Sequence, residues 1–472
     1  MEVAPSQKNI AEIDQQIQEA QEGLWQLQQE MRDINSPEDL EALERDIQQC
    51  TNSLAALTLQ KQLQVNLDAE SQKAKEAEII ADLPVRMKNE GYVNVKIRTA
   101  FGFEIILKTR YYRRNCDRRK NKRYKGMYPG LLLLGIHERA TPLLASLVSG
   151  WAALLCSFAE VRQVMLEQGI QLGEKVIRRL AYRYAERVRI LQQAQTLPLG
   201  ENDTAQGRRI VVSIDGGRIR LRENKRGRKT AKGRTRYKGA WREPKLFIVY
   251  VIDDKGKLEK SFAPLIDGSL NGPDALFQLL QGYLKSLQIQ EAEQVLFVAD
   301  GAHWIWNRVP PLVKVLGLKA EQVHELLDFY HAVEHLGKVA ALRKNWSSKE
   351  RKSWIKKQRR FLLKGLFDQV VDAVKSICRG RNGKAITTER NYFIRNQRRM
   401  DYPGAHALNL PIGSGAVESA VRRVINLRLK GPCIFWHREN AEKILMLRAF
   451  YKAGRWNLLK TMACSHLAVI HE

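Results

Sequence analysis

The sequence lacks the features that mark a secreted, disulfide-linked or membrane-spanning protein. Its 472 residues contain six scattered cysteines with no Cys-x-x-Cys pair, so neither a disulfide framework nor a local zinc site is predicted. The first residues lack the basic and apolar regions of a signal peptide. The uncharged stretch 140–159 is diluted by Thr, Pro, Gly and Ser and is not predicted to cross a membrane. We therefore expect a cytoplasmic protein in a reducing compartment.

Acidic residues are scarce after residue 90. Residues 1–90 hold 18 Asp and Glu against 8 Lys and Arg, a net charge of −10. Because the whole chain carries +28, residues 91–472 carry +38. That much positive charge repels itself and is most simply tolerated against phosphates. Nucleic acid is the partner that this balance predicts for residues 91–472, and an acidic protein or a membrane surface is the alternative.

Residues 1–80 are predicted to form an acidic coiled-coil or helical region. Apolar residues from Ile10 to Met31 recur at spacings of three and four, and Ser36-Pro37 begins a second helix with the same pattern. Two such helices form either an antiparallel hairpin or one half of a dimer. The narrow apolar stripe favours self-association, so a homodimer or a higher homo-oligomer is expected.

Residues 85–130 are predicted to form a β-hairpin, centred on Phe101-Gly102, and a basic arm. The arm is interpreted either as a solvated loop or as a segment that contacts phosphates. Its candidate DNA contacts are Arg113, Arg114, Arg118 and Arg119.

Residues 131–200 are predicted to be helical and to resemble a helix-turn-helix, with Gly169 in the turn. Lys175, Arg178, Arg179 and Arg183 would lie on a basic face of the second helix and contact DNA. An ordinary helix pair joined by a glycine turn is the alternative. Residues 197–207 break every periodic pattern and are interpreted as a linker.

Residues 208–335 are predicted to be the first part of an α/β domain. Ile210 to Ile214 form a buried strand that leads into Asp215, followed by Gly216-Gly217. Further strands are expected over 246–252 and 258–265, as a meander, and over 295–299, ending at a second acid, Asp300. Taken alone, a strand-end Asp that caps a turn is an equally good interpretation of Asp215.

The segment 223–242 is basic and rich in glycine, and it is interpreted as a flexible clamp for phosphates. Its candidate DNA contacts are Arg226, Arg228, Lys229, Arg234, Arg236 and Lys238.

Residues 336–405 are too long for a loop and are predicted to be an all-helical insertion. Residues 406–456 complete the domain, and 457–472 form a tail. A helix after Pro411 places Val417, Ala420, Val421 and Val424 on one face and Glu418, Arg422 and Asn426 on a neighbouring polar stripe. Glu418 is interpreted either as a catalytic acid or as the partner of Arg422 in a salt bridge.

Three acids on separate elements would converge if the first and fourth strands were neighbours. Asp215, Asp300 and Glu418 could not all stay ionised at close range without cations, and hard carboxylate oxygens suit Mg²⁺ or Mn²⁺. Two such ions would activate a water or a 3′-hydroxyl and stabilise the leaving oxygen in phosphoryl transfer.

The motifs of residues 208–456, taken together, resemble those of the DDE transposases of bacterial insertion sequences, in the Kra-type group related to the Mutator-like lineage. The motifs are Asp215-Gly-Gly-Arg, Ala299-Asp300-Gly-Ala-x-Trp304, Leu327-Asp328-Phe-Tyr-His331-Ala-x-Glu-His335 and Gly413-Ser-Gly-x-Val-Glu418-Ser, followed by Asn426-Leu-Arg-Leu-Lys-Gly and Phe435-Trp.

The resemblance implies a ribonuclease H-like catalytic domain with an all-helical insertion, preceded by the coiled-coil and helix-turn-helix-like regions. It implies Asp215, Asp300 and Glu418 as catalytic ligands of two Mg²⁺ or Mn²⁺ ions, with Asp328, His331 and Arg422 in support. Related proteins often carry paired cysteines upstream, whereas this region has only Cys116.

The implied function is cleavage and strand transfer of double-stranded DNA at the terminal inverted repeats of an insertion sequence. The alternatives are a non-catalytic DNA-binding protein or repressor and a ribonuclease H-like nuclease that needs no particular terminal sequence.

Overall fold

The computed structural model describes residues 5–30, 32–114, 126–194, 197–200, 202–380 and 383–466, with side chains from residue 10 onward. The chain divides into two compact units, Met1–Ala194 with Leu459–Glu472, and Gln195–Leu458. Each unit is described by itself.

The first unit contains seven helices and one β-hairpin within its described residues. Their bounds are α1 Pro5–Gln29, α2 Pro37–Asp68, α3 Glu70–Asp82, β1 Met87–Arg98, β2 Glu104–Arg114, α4 Pro129–Leu133, α5 Pro142–Leu154, α6 Phe158–Glu167 and α7 Glu174–Gln193.

Helices α1 and α2 pack against each other within one chain. Lys61, late in α2, approaches Asp14, early in α1, with 2.5 Å between Nζ and Oδ1, so the two helices run antiparallel. This is the hairpin alternative rather than the favoured dimer half. Ile34, Leu40 and Ile47 remain exposed, and self-association through them stays a prediction.

The β-hairpin predicted around Phe101-Gly102 is present as β1 and β2, which pair from Arg98↔Glu104 to Met87↔Arg114. Alternate apolar residues of both strands are buried against α2. Gln64 of α2 fixes this packing, because its side chain accepts from the Lys108 N–H at 2.8 Å and donates to the Lys108 carbonyl at 3.1 Å. Most of the predicted basic arm, including Arg118 and Arg119, lies outside the described residues.

Helices α6 and α7 form the predicted helix pair. Gly169 lies in the turn with φ of +75°, a conformation that favours glycine, and the turn closes through the N–H of Ile170, which donates to Met165 at 2.8 Å. The uncharged stretch 140–159 contains α5, a 13-residue helix with most of its apolar side chains buried. Among the described residues, no helix is both long and apolar enough to cross a membrane.

The second unit is a mixed α/β domain. Its elements are β3 Arg209–Gly216, β4 Ile219–Asn224, β5 Tyr237–Arg242, β6 Lys245–Ile252, β7 Leu265–Ser269, α8 Pro273–Ser286, β8 Gln294–Ala299, α9 His303–Trp306, α10 Val309–Val315, β9 Val323–Leu327, α11 Phe329–Ala341, α12 Ser348–Leu363, α13 Phe367–Cys378, α14 Lys384–Asn396, α15 Tyr402–Ala407, α16 Gly415–Val421, α17 Arg438–Lys452 and α18 Trp456–Cys464, the last of which continues into the first unit.

Five strands form one mixed sheet in the order β7-β6-β3-β8-β9. Strand β3 is central, antiparallel to β6 and parallel to β8, while β7 and β9 complete the edges. Strand β6 is buried along its whole length, as a strand covered on both faces should be. In chain order, β3 is the first strand of this sheet and β8 is the fourth. These two strands are neighbours, as the convergence of the acids requires.

Two strand predictions were wrong. The third strand of the meander was expected over 258–265 but begins at Leu265, because Pro264 offers no N–H to a ladder. The predicted flexible clamp over 223–242 is in part ordered as the two-stranded sheet β4 and β5, with twelve residues between the strands. The charged residues of that segment concealed its two-residue alternation.

Helices α11 to α15 stand between β9 and α16, in the place of the predicted helical insertion. Helix α16 continues into a π-helical turn, Arg422–Asn426. Arg448 of α17 donates to the carbonyls of Val424, at 3.0 Å, and Arg423. The polar stripe predicted at i, i+4 spacing is altered here, because a π turn holds more residues than an α turn.

Candidate active site

Asp215 and Asp300 lie at the same end of the sheet, where β3 and β8 have their carboxyl ends. Strands β3 and β8 are parallel and in register up to Ile214↔Ala299, and each acid is the next residue along the chain. One oxygen of each carboxylate accepts a nearby backbone N–H. Gly216 donates to Asp215 Oδ1 at 2.6 Å and Ala302 to Asp300 Oδ1 at 3.0 Å. These bonds fix the two acids at the carboxyl ends of neighbouring strands.

Glu418 reaches this edge from α16. Val417 and Ala420 are fully buried where the helix packs against β3 and β6, and Val421 and Val424 lie on the same buried side, as predicted. Glu418 lies beside this buried face with about half of its side chain exposed. The same packing brings the π-helical turn against Gly217, where an added Cβ would lie 2.7 Å from Ile425.

The acids influence one another electrostatically. Burial raises the pKa of Asp215 to about 6, and the negative charges of Asp300 and Glu418 add to this, against the Gly216 hydrogen bond and the charge of His331. The pKa of Asp300 is also raised, mainly by burial, against the hydrogen bond from Ala302. An acid that is costly to ionise in isolation, but that lies at a polar edge, is the condition that a bound cation would relieve.

Asp328 has a different environment. It is fully buried at the beginning of α11, where Oδ1 accepts the His331 N–H at 2.9 Å and Oδ2 accepts the Ser414 N–H at 2.6 Å and the Ser414 hydroxyl. Burial by itself would raise the pKa of Asp328, but the hydrogen bonds from His331 and Ser414 outweigh it and lower the pKa to about 2. Asp328 thus ties α11 to the loop that precedes α16.

His331 connects Asp328 with Glu418. Its Nδ1 lies 3.5 Å from Asp328 Oδ2 and 3.9 Å from Glu418 Oε1. The carboxylate of Asp328 raises the pKa of His331 to about 9, against the effect of burial, and the charge of Asp300 acts in the same direction. This raised pKa favours the protonated form of His331 beside the acids.

Within the described residues, Asp328, His331 and Glu418 are the group whose metal-ligand atoms all lie within 4.8 Å of one another. Proximity alone does not make them a metal site. A cation there would compete with the hydrogen bonds on both oxygens of Asp328 and with the proton on His331. We interpret Asp328 and His331 as residues that position Glu418.

Asp215, Asp300 and Glu418 are the metal ligands that the sequence predicts. Asp215 and Asp300 each use Oδ1 in the backbone bond described above, and carboxylate oxygens are the ligands that Mg²⁺ and Mn²⁺ prefer. Their electrostatic coupling provides the negative potential, although Asp215 and Asp300 do not belong to the tight group around His331. Metal binding by these three residues stays a prediction.

The helical segment also reaches this site. Tyr392 of α14 stacks on His335 of α11 with 3.7 Å between ring centroids, and His335 Nδ1 lies 2.6 Å from Glu389. The Tyr392 ring occupies the space where a Cβ at residue 301 would lie, so the chain beside Asp300 requires glycine. The stack closes one side of the site with aromatic surface.

The predicted DNA contacts of the first unit differ from one another in their surroundings. Arg113 lies 3.7 Å from Glu90, and Arg114 ends β2. On α7, Lys175 is exposed and Arg178 lies over the Phe158 ring at 5.3 Å. Arg179 pairs with Glu138 at 3.1 Å, and Arg183 pairs with Glu138 and Glu186. Glu138 therefore neutralises part of the predicted recognition face.

In the second unit, Arg226, Arg228, Lys229, Arg234 and Arg236 are exposed in the segment that joins β4 to β5. Lys238 lies on β5 and pairs with Glu223 at 3.4 Å. Arg422, predicted to support the site, is exposed at the start of the π-helical turn.

Ser414 and Tyr392 escaped the sequence analysis as individual site residues. Ser414 lies in the Gly413-Ser-Gly motif, which drew attention to Glu418 only, and its contact with Asp328 joins residues 86 positions apart. Tyr392 had no sequence signal beyond its place in the helical insertion.

Comparisons with known proteins leave the family open. No protein-family model matches the chain, and no curated protein matches it. Among solved structures, the Drosophila P element transposase strand transfer complex aligns with 66% of this chain and 92% of its own chain, at 11% identity and a TM-score of 0.31. A TM-score this low is beneath the level at which two chains share a fold, so the likeness supports no argument about this chain.

Proposed function

We propose that this chain is a DDE-type transposase of a bacterial insertion sequence, of the Kra-type group in the Mutator-like lineage. It cleaves DNA at the terminal inverted repeats of its element and joins the 3′ ends to target DNA. The observation that carries the proposal is geometric: β3 and β8 are parallel neighbours in register up to Ile214↔Ala299, so Asp215 and Asp300 follow at adjacent strand ends, and the helix that bears Glu418 packs on β3.

The residues of the chain have separate roles in this proposal. Asp215, Asp300 and Glu418 present carboxylate oxygens to two divalent ions, which when bound activate a water or 3′-hydroxyl and stabilise the leaving oxygen. Asp328 fixes Ser414 and the backbone before α16, which sets the position of Glu418. The imidazolium of His331 offsets part of the negative charge of the acids.

The architecture of the second unit is consistent with a ribonuclease H-like domain. The five-stranded mixed sheet places strands one and four side by side, and helices α11 to α15 interrupt the domain between the second acid and the third. The positive charge of residues 91–472 supports DNA as the substrate, and the exposed basic residues between β4 and β5 lie close in sequence to Asp215.

A cleavage assay tests the proposal. Purified full-length protein is incubated with duplex DNA carrying the inverted repeats that flank its gene, in Mg²⁺, in Mn²⁺ and in EDTA. We expect cleavage at the repeat ends only with a divalent ion. The substitutions Asp215→Asn, Asp300→Asn and Glu418→Gln, each nearly isosteric, should abolish cleavage and leave DNA binding intact.

The matched control is Asp254→Asn, which removes an exposed carboxylate in the turn after β6 and should leave cleavage unchanged. Full activity in the three acid variants would refute the proposal and favour a non-catalytic DNA-binding protein or repressor. Acid-dependent cleavage of DNA without the repeats would instead indicate a ribonuclease H-like nuclease.

A further inference from the structure

The hairpin of β4 and β5 carries an unusual mixture of side chains on one face. In a two-stranded ladder, alternate residues share a face, and the pairs Arg220↔Trp241, Arg222↔Gly239 and Asn224↔Tyr237 lie on the same side. Arg218 extends this row towards Asp215. Phe435, from the loop before α17, lies across it. We call Arg218, Arg220, Arg222, Tyr237, Trp241 and Phe435 the aromatic–arginine face.

Guanidinium groups and rings alternate along this face. Arg218 and Arg220 lie 5.6 and 5.5 Å from the centroid of the Trp241 ring, and Arg222 lies 4.8 Å from that of Tyr237. Arg220 also lies 4.6 Å from the Phe435 ring. The arginines therefore pack on the rings while Trp241 remains 47% exposed and Tyr237 41% exposed. Ring surface is left for a further planar group.

The opposite face of the hairpin is ordinary. Ile219 and Leu221 are buried there, and Glu223 pairs with Lys238 and Arg242. The charge of the segment is thus concentrated on the aromatic–arginine face and on the connection between the strands. Residues 218–242 include twelve Lys and Arg and a single acid, Glu223.

The hairpin is anchored to both acid-bearing parts of the site. Trp436 joins β4 as a short parallel neighbour, donating to Arg220 at 3.0 Å and accepting from Arg222 at 2.7 Å. This bond places Phe435 over Gly239, where an added Cβ would lie 2.5 Å from the ring. On the other side, only Gly216 and Gly217 separate Asp215 from Arg218, and these three steps along the chain span at most about 11 Å.

We propose that the aromatic–arginine face binds unpaired DNA nucleotides, whose bases stack on Trp241 and Tyr237 while the arginines contact the phosphates. This inference rests on the proposed function and specifies its substrate. A surface that bound only phosphates would gain nothing from large exposed rings. Aromatic rings set among arginines are the usual means of binding single strands without reading their sequence.

Duplex DNA hides the faces of its bases inside the stack and cannot occupy this surface in the same way. The nucleotides bound here are therefore those that become unpaired beside the cleaved phosphate, within reach of Asp215. The exposed basic residues between β4 and β5 continue the path of the backbone and would bind single-stranded and duplex phosphates alike.

The test compares two probes on the full-length protein in EDTA, where no cleavage takes place. The probes are a fluorescein-labelled 20-nucleotide thymidine oligomer and a 20-base-pair duplex. Removing one stacking ring is expected to weaken binding by about 5- to 150-fold, so Trp241→Ala should raise the Kd for the oligomer within that range. The Kd for the duplex should change by less than about twofold, and Trp241→Phe should restore most of the loss.

Two matched controls separate stacking from other effects. Trp25→Ala removes a Trp of the first unit that is 61% exposed, and it should change neither Kd. Arg228→Ala removes an exposed charge of the hairpin connection, and it should weaken both probes alike. If Trp241→Ala fails to fold by circular dichroism, Tyr237→Ala replaces it with the same expectation.

Equal effects of Trp241→Ala on the two probes, or no effect on either, would overturn the inference, as would tighter and Trp241-dependent binding of a uridine oligomer of RNA. These outcomes are independent of the cleavage assay. A protein that cleaves but shows no Trp241-dependent binding of the oligomer retains the proposed function and loses this inference. The reverse result retains the inference and rejects the transposase.

Discussion

The start of α11 and the carboxyl ends of β3 and β8 both place acids out of full contact with water, but they treat them in opposite ways. Asp328 accepts three hydrogen bonds, and its pKa falls to about 2. Asp215 accepts one, lies near other acids, and its pKa rises to about 6. Hydrogen bonds to both oxygens of Asp328 stabilise its ionised form. The ionised form of Asp215 has less of this stabilisation and would be favoured by added positive charge.

In the proposed function, Asp328 holds the structure together and the acids at the ends of β3 and β8 bind a ligand. In the proposed function, Asp328 and His331 of the group within 4.8 Å position Glu418. Substitutions that remove the two kinds of charge should therefore change stability in opposite directions.

The largest change in stability is expected at Asp328. Asp328→Asn replaces a carboxylate oxygen by an amide that cannot accept from Ser414, so buried donors lose their acceptor. We expect the free energy of unfolding at pH 7, in EDTA, to fall by about 3 kcal/mol. Urea denaturation measures it, with Asp254→Asn as the exposed control. A loss below about 1 kcal/mol would place Asp328 with the acids of the sheet edge.

A smaller effect is expected at His137, a buried group of the first unit that lies near the positive charge of Arg187. Burial, with the positive charge of Arg187, lowers the pKa of His137 to about 3. The unfolded chain takes up a proton near pH 6.5 and the folded chain does not, so stability falls as the pH drops below 6.5.

Between pH 7 and pH 5, this protonation should cost about 2 kcal/mol. The measurement is the free energy of unfolding of the wild type and of His137→Gln at both pH values. The variant should lack this part of the pH dependence. An equal dependence in both proteins would show that His137 is not kept neutral by the fold.

The smallest effect has the opposite sign. Asp215→Asn keeps the acceptor for the Gly216 N–H but removes a charge that burial and two acids make costly. We expect it to stabilise the protein in EDTA at pH 8 by about 1 kcal/mol, after allowance for the partial exposure of the side chain. Thermal denaturation measures the shift. A destabilised variant would mean that Asp215, like Asp328, is a structural acid.

Much of the second unit follows from local sequence. Ile210 to Ile214 form a β-branched run that is buried throughout, and the strand before Asp300 is read from the same kind of pattern. Because parallel neighbours end at the same edge, the approach of Asp215 to Asp300 follows once the two strands are paired. The spacing of Val417 and its apolar neighbours predicted correctly which face of α16 packs on the sheet.

The rest depended on contacts distant in sequence. No local pattern announces that Ser414 will bond Asp328, or that Trp436 will pair with β4. The hairpin of β4 and β5 was interpreted as flexible because its arginines mask the alternation of apolar and polar residues. In the structure, these arginines are ordered by their contacts with aromatic rings. The π-helical turn likewise depends on Arg448, whose donors meet the carbonyls that the turn releases.

Manganese binding by the full-length protein tests the central claim most directly. Titration of the wild type with Mn²⁺, followed by calorimetry, should reveal two ions per chain. The single substitutions Asp215→Asn, Asp300→Asn and Glu418→Gln should each weaken that binding by at least about tenfold, while Asp254→Asn should not. Undiminished Mn²⁺ binding in all three acid variants would contradict the account.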